Sequence, residues 1–245
     1  MTRITRLATV ALAAVFLSPP ALGAQVAAGQ ADAFEGATSQ GWSVGDPEHP
    51  APPTVVPTGG PGGAGDGYLR LQSFGGSGPG SRLSAINHDQ WAGNYLSAGV
   101  GAIRVDAANF GTSDVFLRML FVNLPRDPAT GIPLGPPLGV ASSANAVLLP
   151  AGSGWTTLTF SLAPGDVVPL LGPLDAALGG ATEVRFFHNP AFGFGGPGVG
   201  GPPIAATIGL DNITAVAVVP EPATLLLVGG GLLLLPLVAR RRARR

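Results

Sequence analysis

The sequence predicts an all-β domain, a β-sandwich of the jelly-roll type, set between two apolar terminal segments. Three observations predict it. Short runs alternating apolar and polar residues recur through the middle of the chain, and a period of two marks a strand with one wet and one buried face. Glycine and proline, 38 and 25 of the 245 residues, punctuate those runs, as turns between short strands demand. Only 169–178 (PLLGPLDAAL) hints at a helix, and a short one. Many strands with few helices suit two packed antiparallel sheets.

Residues 1–24 read as a secretory signal peptide. Arg3 and Arg6 precede an apolar core at 7–17 (LATVALAAVFL). Eleven such residues fall short of the ~20 that span a bilayer. Ser18-Pro19-Pro20 breaks the helix, and the small residues of 21–24 place cleavage after Ala24, with Gly23 as the alternative.

Residues 25–219 suit a single domain. Its strand candidates are 68–73, 81–87, 102–107, 114–123, 145–149, 155–162, 183–189 and 207–218. In 102–107 (AIRVDA), Ile103 and Val105 face one way, Arg104 and Asp106 the other. In 155–162 (WTTLTFSL), Leu158, Phe160 and Leu162 oppose Thr157, Thr159 and Ser161. The run 114–123 is apolar almost throughout and suits a central strand. Segments 45–67, 125–139 and 192–203 are rich in Gly and Pro and read as long surface loops.

Beyond position 219, Pro220-Glu221-Pro222 leads into 223–239 (ATLLLVGGGLLLLPLVA), 17 residues without a charge. As a helix this run is ~26 Å long, slightly short of a ~30 Å bilayer core. Arg240, Arg241, Arg242, Arg244 and Arg245 follow at once, and snorkelling guanidinium groups help a marginal membrane helix.

The formal net charge of −1 averages unlike parts. Residues 1–24 carry +2, residues 25–219 carry −7, Glu221 adds −1 and the Arg cluster adds +5. Basic ends flanking apolar runs are the charge layout of an exported chain with a membrane-retained tail. The acidic middle, 6 Arg against 13 Asp and Glu, repels phosphate and excludes nucleic acid as a partner. The chain has no Cys and no Lys. That removes disulfides, thiol nucleophiles, Cys-ligated metals, Walker-type phosphate loops and Schiff-base chemistry.

The Pro-Glu-Pro motif, the Leu-rich span and the Arg-rich end, in that order at 220–245, resemble the PEP-CTERM sorting signal. The resemblance implies recognition by an exosortase, a membrane cysteine transpeptidase of Gram-negative bacteria that often make extracellular polysaccharide. It implies a membrane-anchored precursor, cleavage near Pro220, and a mature protein at the cell surface or in the extracellular matrix.

Residues 25–219 also resemble the jelly-roll carbohydrate-binding modules at their two ends. Phe34-Glu35-Gly36 leads to Gly41-Trp42, and the last strand holds Leu210-Asp211-Asn212-Ile213. The resemblance implies that the first and last segments meet and that Glu35 and Asp211 help to hold a structural Ca²⁺, with backbone carbonyls completing its oxygen shell. It also implies glycan binding. Trp91 and Tyr95, in a polar Gly-containing segment (NHDQWAGNYLSAG), are the candidate rim for stacking sugar rings. Arg104 and Arg118, on strands, are candidates to line a concave face.

No catalytic residue is singled out. No spacing selects a carboxylate pair for glycoside hydrolysis, and no GxSxG elbow is present. The expectation is a surface or matrix protein, structural, adhesive or glycan-binding, with no enzymatic activity. The alternatives are a polysaccharide hydrolase and a scaffold without a small ligand.

Overall fold

The computed structural model describes residues 25–218 except 46–47, 128, 131 and 194–200. The expected signal peptide, membrane helix and sorting residues lie outside the described residues. Among the described residues no helix is long and apolar enough to cross a membrane.

Strands dominate. In chain order they are β1 (Ala31–Asp32), β2 (Trp42–Ser43), β3 (Thr54–Val56), β4 (Tyr68–Phe74), β5 (Ser84–Asn87), β6 (Val100–Asn109) and β7 (Val115–Asn123). Then come β8 (Gly139–Ser143), β9 (Val147–Leu149), β10 (Thr156–Ser161), β11 (Val167–Leu171), β12 (Glu183–His188) and β13 (Ala205–Ala217). One short helix, α1 (Leu174–Leu178), lies between β11 and β12. All eight strand candidates of the sequence are present with shifted ends. The helix hinted at 169–178 shrinks to its second half, because Val167–Leu171 pairs with β8 instead.

The strands form two antiparallel sheets. The first runs β10-β6-β13-β4-β3, with β1 also on β13. The second runs β11-β8-β7-β12-β5-β2, with β9 on β7. Between β4 and β7 the chain changes sheet at every connection. The resulting four-strand orders β4-β13-β6-β10 and β5-β12-β7-β8 are those of a jelly roll.

The alternation read from the sequence explains the sandwich. Ile103, Val105, Leu158 and Phe160 point inward from the first sheet while Arg104, Thr157 and Thr159 stay exposed. Leu117, Met119, Phe121, Val184 and Phe186 meet them from the second sheet. As the apolar run 114–123 suggested, β7 is central, between β8 and β12. Its outward residues Leu120 and Val122 are buried too, with Val140 and Phe187. The outer face of the second sheet is therefore partly covered by loops, and the covering leaves a cleft.

Candidate functional site

The cleft lies over that outer face and has a volume of about 780 Å³, within the range of small-ligand clefts. Strand register builds its floor. Glu183 of β12 stands opposite Val122 of β7, which stands opposite Val140 of β8. One step along, Arg185 stands between Leu120 and Ile86. Directly paired residues share a face in an antiparallel sheet, so this charged and aliphatic patchwork points into the cleft. Leu170 and Leu171 of β11 form one wall, and Val44, Gly45 and His49 after β2 form the opposite wall. The Gly78–Arg82 turn closes one end, and Leu124, Arg126 and Pro137 close the other.

An ionic group occupies the floor. Glu183 is 2% exposed and accepts a hydrogen bond from Arg185 Nε. His88 Nδ1 stands 3.7 Å from its other oxygen, with the imidazole 39% exposed. Buried charges persist only when paired, so the two strand neighbours fix each other and the Arg185 guanidinium is held in place. Ser84 Oγ, beside Arg82, makes no hydrogen bond among the described residues.

A second charged feature lies on the first sheet. β13 bulges between Asp211 and Thr214, where Asn212 adopts a left-handed φ of 49°. The bulge leaves Asp211 fully buried. Burial pushes its carboxyl up to about 7. The Asn212 N–H opposes that rise, and the negative charges of Asp66, Glu35 and Asp106 add to it. Phe34, beside the exposed Glu35, is also left-handed at φ 43°. Its carbonyl crowds Gly67, where a Cβ would sit 2.5 Å away. Glu35 and Asp211 thus come within electrostatic reach of each other. Among the described residues, no three His, Cys, Asp or Glu side chains group tightly enough to hold a metal.

The aromatic rim expected at Trp91 and Tyr95 is corrected. Both side chains are fully buried. Trp91 Nε1 and Trp42 Nε1 each donate to Asp32 Oδ2 at 2.7 Å, and Gln90 Nε2 adds a third donor. Burial raises the Asp32 carboxyl while these donors pull it back. Tyr95 donates to the Trp91 carbonyl at 2.7 Å and meets Phe121 edge-on at 5.1 Å. The polar sequence around them caps one end of the core.

Of the two arginines expected to line a concave face, Arg118 is corrected. Arg104 is exposed on the first sheet. Arg118 belongs to the second sheet but is buried away from the cleft. Its Nε donates to the Asn189 carbonyl at 2.8 Å, and its Nη1 to those of Ser143 and Ala144 at 2.8 and 3.0 Å. The cleft residues Arg82, Arg126, Arg185, His88 and Glu183 were missed. Alternation in 183–189 could have put Glu183 and Arg185 together on one face, while no local pattern connects Arg82, His88 and Arg126 to them.

Fold and cleft together define a jelly-roll β-sandwich protein with a cleft lined by aliphatic residues and arginines. Its sequence carries more than that sandwich: residues 218–243 match the PEP-CTERM protein-sorting motif. The motif implies an exported surface protein processed by an exosortase. No curated protein matches the sequence.

Among solved structures, one similar chain is a family 11 carbohydrate-binding module from Clostridium thermocellum, in complex with a β-1,3-1,4-mixed-linked tetrasaccharide. It is 13% identical, with 80% of this chain and 99% of that one covered and a TM-score of 0.48. Another is an exo-β-agarase, 14% identical over 69% of this chain and 23% of that one, with a TM-score of 0.43. A third is the K1 cleaved adhesin domain of Lys-gingipain from Porphyromonas gingivalis, 15% identical over 78% and 98%, with a TM-score of 0.40. These likenesses are distant, and the strand order carries the fold assignment by itself.

Proposed function

We propose that this is a non-catalytic glycan-binding protein of the cell surface or extracellular matrix, working beside exopolysaccharide, and that the cleft on the second sheet is its binding site. The observation that carries this reading is the cleft itself, with an aliphatic floor and fixed polar groups. Saccharides offer hydroxyls to such groups and C–H faces to such a floor. The hydrolase alternative is disfavoured by the donor set: glycoside hydrolysis needs two carboxyl groups, and Glu183 is the one acid among the described lining residues. In the same reading the chain is anchored through its C-terminal helix in a Gram-negative envelope until an exosortase cuts it. Glycan-array binding by the purified chain, without release of reducing sugar, is the expected result; no binding to any polysaccharide overturns it.

We further propose a structural Ca²⁺ near Glu35 and Asp211, with backbone carbonyls completing the shell. A buried carboxyl surrounded by other negative charges supports it, because a hard divalent cation relieves both the burial and the repulsion. A chelator-sensitive melting temperature is its signature.

A further inference from the structure

Resting on the cleft as the glycan site, we infer that its ligand is an acidic polysaccharide whose sugars carry carboxylates. The charges of this domain are distributed unevenly. Residues 25–219 hold 6 Arg against 13 Asp and Glu, yet Arg82, Arg126 and Arg185 line the cleft. Against them stands Glu183 alone among the described acids of the lining. A positive cleft in an acidic body focuses an anionic ligand into the cleft and repels it elsewhere.

The arginines are also spread along the cleft. Arg185 lies midway, between Leu120 and Ile86. Arg82 follows the turn beyond Ser84, and Arg126 follows Leu124 at the Glu183 end. Charges placed in sequence suit a polymer that repeats its own charge. Guanidinium forks grip carboxylates through two parallel hydrogen bonds. Arg82 donates from Nε to the Gly201 carbonyl at 2.9 Å, and its two terminal nitrogens make no bond among the described residues. Ser84 also lines the cleft, and its buried Oγ has no hydrogen-bond partner among the described residues.

No Trp, Tyr or Phe stands among the described lining residues of the cleft, so the arginines are the strongest ligand-binding groups among them. Charge-assisted hydrogen bonds are the strongest interactions these side chains can make.

The test is a titration of the purified full-length chain with polygalacturonate, alginate and hyaluronate. Carboxyl-reduced polygalacturonate and mixed-linkage β-glucan are the neutral comparisons. One or more of the polyuronides should bind roughly tenfold more tightly than either neutral polymer. Arg82→Gln and Arg126→Gln should each weaken that binding by about three- to tenfold at a temperature where circular dichroism shows the variant fully folded. A neutral polymer binding as tightly as the polyuronides overturns the acidic ligand and leaves the glycan reading standing. Polyuronide binding that survives both substitutions overturns the inference, since the polymer then sits elsewhere. Binding of none of the five polymers overturns both readings.

Discussion

Asp211 concentrates the electrostatic problem of this fold at a single residue. Its folded carboxyl titrates at about 7, against an ordinary 3.8. Between those values the folded chain keeps a proton that the unfolded chain has released, so stability falls as pH rises through that window. Below pH 4 the residue costs nothing; above 7 the cost is complete. Asp211→Asn should therefore stabilise the chelated protein at pH 8 by on the order of 2 kcal/mol, with the gain vanishing by pH 4. Bound Ca²⁺ would offset the same cost. Chelator should then lower the melting temperature of the native chain and leave that of Asp211→Asn unmoved. Denaturant and thermal melts across pH check both statements. A pH-independent difference, with no chelator effect, rejects them. Trp91 shows the limit of reading residues locally. Its neighbours are polar, but its indole partner Asp32 is 59 positions away, and burial was decided there.

At the scale of elements, alternation made the longer strands legible and left the short ones hidden. β1 and β2 have two residues each and β3 has three, too few to display a period. β8 (GVASS) is buried throughout and shows no alternation. β11 contains Pro169, which reads as a strand breaker, yet this strand lies at the sheet edge, where a missing N–H is tolerated. β13 carries a packing constraint in Gly209. Tyr68, Phe110 and Trp155 cluster over it with centroids 5.3–5.9 Å apart. A Cβ there would lie 2.6 Å from Trp155 and 3.0 Å from the other two rings. Gly209→Ala should cost about 1–3 kcal/mol by overpacking, read from the denaturation midpoint. Because this patch lies on the sheet opposite the cleft, glycan affinity at a temperature where the variant stays folded should not change. A shift below 0.5 kcal/mol would show that the rings move aside freely.

At the scale of the whole molecule, the net charge of −1 describes no part of it. Residues 218–243 match a sorting motif, and residues 25–219 by themselves carry −7. Glu221→Ala should leave the sorting tail uncut, seen as a heavier, membrane-retained product on mass spectrometry and fractionation. Normal release of that variant would reject exosortase recognition of the motif. The sequence by itself determined the sandwich class, the long alternating strands and the sorting motif, because each is written in contiguous residues whose spacing or order is the signal. Only the tertiary structure decided which arginines share the cleft, why Trp91 and Tyr95 are core, and that Asp211 is buried among like charges. Those outcomes depend on which strands pair and in which register, and pairing brings together residues that local sequence cannot connect.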